Sequence, residues 1–317
     1  MKKSSVLWPD PLELIPRVPQ TYVDVDGVLE NALKLTLPTA WVNEEPDAPP
    51  SSNILFNSMH GLGKSLMAAT MAVRASEILG KSIPAITLDC HEDIRDHHLR
   101  GSFSEQEDGT LVFVPGPFPA AIHMANEVGC CFLLVEEVSA LTPGSQKMFN
   151  AMTDWRQGIY IPQIGQFINL LPGRRVIIIA TMNPSAYGGV YTLNDDLRSR
   201  FDEYEIQIPS MANEMRILKT VCPYAPGGLI EKVCQVAKET RTDETEYKLS
   251  TRDLQHFVEN WHKLGGDFAT DALGNAVPND GGKIALALIA NKFEGEDRRF
   301  IIDRVKAVFN HWVEKKK

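Results

Sequence analysis

No apolar run in the 317-residue chain approaches the ~20 consecutive residues that a bilayer-crossing helix needs, so no membrane association is expected. Residues 1–20 start basic, but prolines and acids interrupt them before an apolar core develops, and no secretory segment is expected. Cysteine is sparse. Cys90, Cys130, Cys131, Cys222 and Cys234 make an odd count without CxxC spacing, which excludes a disulfide framework and fits reduced, buried thiols of a cytoplasmic protein. Basic charge is also short: 32 Lys and Arg against 41 Asp and Glu leave a net charge of -9, which argues against a protein that coats nucleic acid. No internal repeat is present. What remains is an ordinary soluble composition, 44% hydrophobic and 23% charged, long enough for one large domain and a smaller one.

The chain does contain a glycine loop in a telling context. SMHGLGKS at 58–65 follows the apolar run NILF at 53–56 and precedes a helical pattern over 64–80 with Leu66, Met67, Ala69 and residues 71–73 on an apolar face. Strand, glycine loop and helix in that order form a phosphate cradle. Backbone N–H groups of Ser58, Met59, His60, Gly61, Leu62, Gly63, Lys64, Ser65 and Leu66 and the helix N-terminus would surround the phosphates, with Gly61 and Gly63 permitting close approach. Lys64 would reach the terminal phosphates, and the Ser65 hydroxyl would serve magnesium. The pattern G-x-x-x-x-G-K-[ST] wants glycine where this chain has Ser58, so a different entry turn is expected. The bland alternative is a glycine-punctuated turn.

Further short β-rich runs at 82–88, 131–135, 175–181 and 204–208 alternate with helical or loop segments, the pattern of a covered, mainly parallel sheet. Beyond Pro209 only helices are expected, at 212–222, 228–240, 251–263, 282–291 and 297–314, with the Gly/Asp/Asn-rich segment 265–282 left without an element. Three parts follow: an arm and linker over 1–50, with a helix at 26–37, a sheet domain over 51–209, and a helical domain over 210–317.

The strand FLLVEE at 132–137 ends in two acids. Because adjacent strand side chains point opposite ways, Glu136 is assigned to the magnesium shell and Glu137 to polarising the attacking water. A solvated strand end is the alternative. ATMNP at 180–184 closes another apolar strand with Asn183, placed by sheet order to orient water or the γ-phosphate. LNDDLRSRFD at 193–202 offers Arg198 and Arg200, of which Arg200 is favoured as an arginine inserted into a neighbouring subunit's site. Arg252 in LSTRDL, at a helix start capped by Ser250 or Thr251, is a candidate reporter of the γ-phosphate. Surface salt bridges are the competing role for each arginine.

This order of motifs resembles the AAA+ ATPases, and within them the branch containing MoxR, CbbQ/NorQ and the cobaltochelatase subunit CobS. The block FVPGPFPAAIHMANEVGCCFLLVEEVSALTPGSQ at 113–146 carries most of that resemblance. The resemblance implies a P-loop αβα sandwich with a parallel five-stranded sheet, followed by a smaller all-α lid. It implies ATP and Mg2+ as cofactors, and a homo-oligomeric, usually hexameric, ring that remodels a client protein, often with a von Willebrand factor A domain partner. It also implies an insert at about 99–114 and a hairpin at about 158–171, both facing a ring pore, with Phe103, Phe113, Ile164 and Phe167 as candidate contacts. Adenine recognition would fall near Tyr22 and Val23.

Two other functions compete. A nucleic-acid motor is disfavoured because the 99–114 insert holds Arg100 against Glu105, Glu107 and Asp108, a poor funnel for phosphates. A nucleotide-gated scaffold with little turnover is motivated by Ser58 and by Glu136, where aspartate is usual. A metal site among Cys90, His91, His97 and His98 is weighed and disfavoured, since the spacing specifies no convergent geometry.

Overall fold

A computed structural model describes residues 6–43, 45, 51–154, 157–184, 191–242 and 245–310. Residues 1–5, 44 and 46–50 of the expected arm and linker, and residues 311–314 of the expected 297–314 helix, lie outside the described residues. By internal contacts the chain divides into two units, Met1–Met59 with Lys64–Ile206, and His60–Gly63 with Gln207–Lys317.

In the first unit the strands are β1 (Ile54–Asn57), β2 (Ala85–Asp89), β3 (Gly101–Glu105), β4 (Leu111–Pro115), β5 (Cys130–Glu136), β6 (Gly158–Ile161), β7 (Gln166–Asn169), β8 (Arg175–Met182) and β9 (Asp202–Glu205). Five of them form one parallel sheet in the order β2-β5-β8-β1-β9. The central strands are apolar throughout because both faces are covered. Ile54 and Phe56 pack into a cluster with Met67, Met71 and Phe132, whereas Leu55 joins Leu133, Ile178 and Phe118 on the other face. The helix Lys64–Leu79 buries Met67, Ala68, Met71, Ala72 and Ala75, a stripe at helical spacing. On the opposite face the helix Pro117–Val128 starts on Pro117, whose missing N–H costs nothing at a first helical position.

The expected insert and hairpin are both antiparallel pairs, β3 with β4 and β6 with β7. Phe113 is fully buried and meets Phe103 edge-on at 5.6 Å, so Phe113 is withdrawn as a pore contact. Phe103 and Phe167 are exposed, and Ile164 is half-buried. Tyr22 packs, half-buried, against the cluster containing Ile54 and Phe56.

The second unit is mainly helical: Met211–Val221, Gly227–Thr240, Thr251–Lys263, Asp280–Ala290 and Gly295–Phe309. Its core gathers Leu218, Val233, Phe257, Trp261, Leu286 and Phe309. The segment 265–282 is not elementless. It forms β10 (Phe268–Thr270) paired with β11 (Ala276–Pro278), and Phe268 stacks on Phe309 at 6.4 Å, which anchors the hairpin to the helical core and corrects the all-α expectation. Two buried polar clusters fix this unit. Arg241 forks onto Glu214 at 2.9 and 2.8 Å and donates to the Leu249 carbonyl. Asp253 accepts from the Ser250 N–H and hydroxyl and from Tyr247, and it pairs with Lys292.

Candidate active site

The sheet order decides which strand ends meet. β8 lies between β1 and β5, so the loop after β1, the acids at the end of β5 and the amide after β8 converge at the carboxyl edge of the sheet. Ligands of open parallel sheets bind at that edge, where the order reverses.

The loop is shaped by glycine where the backbone needs it. Gly61 and Gly63 have φ of 74° and 86°, left-handed values that L side chains resist. Ser58 is not among the positive-φ residues. Its N–H donates to the Met182 carbonyl at 3.3 Å and its hydroxyl to the Met59 carbonyl at 3.0 Å, so this entry turn does not require the glycine of the usual pattern. Lys64 is 8% exposed, and its Nζ donates to the carbonyls of Ser58 at 2.7 Å and Met59 at 3.0 Å and to Asn183 Oδ1 at 2.9 Å. Lys64 and Asn183, 119 positions apart, are therefore hydrogen-bonded partners.

Beside them, the Ser65 hydroxyl donates to Glu136 Oε2 at 2.7 Å, and the same oxygen accepts from Thr181 Oγ1 at 2.7 Å. The hydroxyl of Thr181, 1% exposed, in turn accepts the backbone N–H of Glu137 at 3.0 Å. Strand alternation does not separate the two acids, because β5 ends at Glu136. Glu137 lies beyond it with φ 56° and ψ 47°, heading the short helix Val138–Ala140. A left-handed glutamate is a strained backbone, and such strain persists only where surrounding bonds over-determine it. Here the Thr181 hydroxyl and the Ala140 N–H, which donates to the Glu137 carbonyl at 2.8 Å, hold it. The Glu137 side chain is exposed.

Thr181 went unnoticed in the sequence. In an apolar strand a threonine looks like one more β-branched strand former, and the available signal was its position two residues before Asn183.

These side chains fit a magnesium nucleotide. A buried ammonium at the foot of the loop supplies the positive charge a phosphate needs, and a hydroxyl and a carboxylate 2.7 Å apart offer hard oxygen donors that magnesium takes directly or through water. Ser65 and Glu136 would hold the metal; Lys64 and the loop would hold the phosphates.

Arg198 and Arg200 make ion pairs of their own. Arg198 Nε donates to Glu203 Oε2 at 2.7 Å, and Asn57 Nδ2 donates to Oε1 of the same carboxylate at 2.9 Å. Burial alone would raise the Glu203 carboxyl, but the hydrogen bonds from Arg198 and Asn57 outweigh it and hold the group below the usual range. Arg200 reaches Asp196 at 3.3 Å. Arg252, exposed, sits in the first turn of a helix capped by Ser250 with a reciprocal Asp253 contact, and within the second unit its N–H donates to the Gly61 carbonyl at 3.1 Å. Cys90, His91, His97 and His98 do not converge. Among the described residues no group of three or more His, Cys, Asp or Glu could hold a metal ion. All five cysteines are free and buried, and no helix of the described residues is long and apolar enough to cross a membrane.

Comparison with known proteins agrees with this geometry. Residues 59–201 match the AAA domain, dynein-related subfamily. An uncharacterized protein of Staphylococcus haemolyticus is 23% identical over 204 residues, covering 63% of this chain and 72% of the relative. An uncharacterized protein of Staphylococcus aureus is 28% identical over 155 residues, covering 48% of this chain and 54% of the relative. Among solved structures, a single-substitution mutant of Thermotoga maritima RuvB aligns at a TM-score of 0.51 with 13% identity, covering 94% of this chain and 81% of that one. The fold is thus the AAA+ fold: a five-stranded parallel sheet flanked by helices, with a helical C-terminal region.

Proposed function

We propose that this chain hydrolyses ATP with Mg2+ and works as a ring of identical subunits that remodels or activates a client protein, in the manner of the MoxR and CbbQ branch and with a von Willebrand factor A domain protein as partner. The observation that carries it is a pair of hydrogen-bonded sets, Lys64–Asn183 and Ser65–Glu136–Thr181–Glu137, which start from adjacent residues and together draw in the ends of three strands. In that network Lys64 and the loop backbone bind the phosphates, Ser65 and Glu136 hold the metal, Asn183 orients the γ-phosphate, and Glu137 polarises the attacking water. Arg200 of one subunit, with Arg198 as the alternative, completes the site of its neighbour, and Arg252 reports the nucleotide's state. The partner assignment rests on the branch resemblance of the 113–146 block alone.

Phosphate release from Mg·ATP tests the enzyme assignment. Wild type should turn over, and Glu137→Gln should lose about 10² or more of that rate while still binding nucleotide. Equal, near-zero rates for the two, measured with the protein assembled, would leave a nucleotide-gated scaffold instead.

A further inference from the structure

We propose that Gln146 is a positioning residue: it fastens the segment 191–200, which carries Arg198 and Arg200, to the turn headed by Glu137, so that acid and arginines keep one geometry within the chain. Its functional meaning rests on the roles proposed above for those three residues, whereas the link itself is a matter of hydrogen bonds. Gln146 ends the short helix Pro143–Gln146 and is fully buried. Nε2 donates to the Leu141 carbonyl at 3.0 Å and to the Thr192 carbonyl at 3.5 Å, and Oε1 accepts the Asn194 N–H at 2.8 Å. One side chain thus grips two backbones. Leu141 closes the short helix that Glu137 heads, and Asn194 caps the helix Asp195–Arg198, where its carbonyl accepts the Arg198 N–H at 2.8 Å. The arginine backbone is therefore one turn from the glutamine contact.

The two segments also meet through apolar side chains, since Val138, Leu141, Phe149, Leu193 and Leu197 belong to one buried cluster. Packing of that kind holds segments together without fixing their register. An amide taken out of water is costly unless its polar atoms are met, and here backbone groups on both segments meet them, which does fix it. Other bonds follow the same path. The Tyr191 N–H donates to the Ser139 carbonyl at 2.7 Å, and Asn194 Nδ2 donates to the Pro143 carbonyl at 3.2 Å. Asn150 Nδ2 donates to Asp196 Oδ2, and Oδ1 of that carboxylate pairs with Arg200 at 3.3 Å. Asp196 is exposed and its bonds compete with water, whereas Gln146 is shut off from it, so the glutamine decides the geometry. On its other side the left-handed Glu137 backbone is held by the Thr181 hydroxyl. A displacement of the Glu137 turn during hydrolysis would therefore pass through 138–141 and Gln146 to the arginines, and a pull on the arginines would reach the acid by the same route.

The test follows amide hydrogen exchange and ATP turnover of the full chain as wild type, Gln146→Leu and Gln146→Glu. Gln146→Leu should speed exchange about tenfold in both 137–142 and 191–201, with the Asn194 amide as direct reporter, while β1 and the helix Lys64–Leu79 exchange as in wild type. A rise confined to 137–142, or spread evenly over the first unit as lost packing would give, overturns the link. In turnover kcat should fall about tenfold with KM for ATP unchanged, because Lys64 and the phosphate loop are untouched. Gln146→Glu is the conservative rescue. Protonated, it donates to Leu141 and accepts from Asn194 as glutamine does; ionised, it sets a negative charge against the Leu141 and Thr192 carbonyls. Burial raises the pKa of such a carboxyl, so protection of 191–201 should match wild type at about pH 5 and fall about tenfold below it toward pH 9. A ratio to wild type that stays flat over that range overturns the assignment, and it decides alone if Gln146→Leu does not fold. A wild type that binds Mg·ATP without turning it over would sink the enzyme reading, and the exchange comparison would still decide the link.

Discussion

Thr181→Val isolates the bond on which the acid geometry depends. Valine nearly matches threonine in shape, and Thr181 is 1% exposed, so the substitution opens no cavity and removes only the hydroxyl. That hydroxyl donates to Glu136 Oε2 at 2.7 Å and accepts from the Glu137 N–H at 3.0 Å. A hydrogen bond to a charged group contributes about 1.5–3 kcal/mol, and an orphaned buried N–H costs about 1–3 kcal/mol. Glu136 is half-buried and keeps the Ser65 hydroxyl, so the first contribution lies at its lower end and the total comes to about 3 kcal/mol. Urea unfolding measures that loss. Glu137 also loses the bond that holds its left-handed backbone, and a displacement of about 1 Å at a catalytic group costs roughly 10² in rate. Thr181→Ser, which keeps the oxygen, should retain hydrolysis and lose no more than about 1 kcal/mol for the missing methyl. A Thr181→Val protein within about 0.5 kcal/mol of wild type and with undiminished hydrolysis would show that the hydroxyl positions nothing.

Two predictions concern the second unit. Glu214→Ala strands the Arg241 guanidinium, whose side chain is 10% exposed, and unfolding should show a loss of about 3–5 kcal/mol; a loss under 1 kcal/mol would mean the pair is solvated. Burial alone would raise the Asp253 carboxyl, but Lys292 and the Ser250 N–H and hydroxyl hold it below the ordinary range, so its contribution to stability is complete above the unfolded pKa of about 3.9 and lost as pH falls through the lower folded value. The stability difference between wild type and Asp253→Asn should therefore be constant near neutrality and shrink below about pH 4, and a difference that instead grows on acidification would reverse the assigned sign.

The parts of the fold legible in the sequence are those governed by local chemistry. Ile54, Leu55 and Phe56 are each fully buried, and a strand covered on both faces has to be written as an unbroken apolar run. Gly61 and Gly63 are legible because only glycine adopts their φ cheaply. Less legible was whatever distant pairing decides. That β8 rather than β9 separates β1 from β5 cannot be inferred from either strand alone, yet this order is what sets Thr181 and Asn183 between the loop and the acids. The alternation argument for Glu136 and Glu137 ran one residue too far, since a strand's end depends on its partners: Val135 pairs with Ala180 and Glu136 with Asp89, but the Glu137 N–H meets the Thr181 hydroxyl rather than a further ladder partner. The β10–β11 hairpin escaped because three-residue strands are too short to display a period; Phe268 packing against Trp261 and Phe309 holds them.

The two edges of the sheet differ in a way that bears on how copies would meet. At the carboxyl edge the charged groups answer one another: the Lys64 ammonium has carbonyl and amide oxygens around it, and Glu136 has two hydroxyl donors. At the amino edge Arg200 pairs with Asp196, while its Nε and that of Arg175 have no hydrogen-bond partner among the described residues. A bound triphosphate would give the carboxyl edge an excess of negative charge that its lone buried lysine does not neutralise. The same chain would then carry surplus anion at one edge and unpartnered guanidinium nitrogens at the other. Surfaces that complement each other but not themselves associate head to tail, and a head-to-tail contact closes into a ring when the rotation per subunit permits. Cleavage of the terminal phosphate removes part of the charge on one side of such a boundary and leaves the arginines in place on the other, so the contact would weaken with turnover by electrostatics alone, without any change within the sheet.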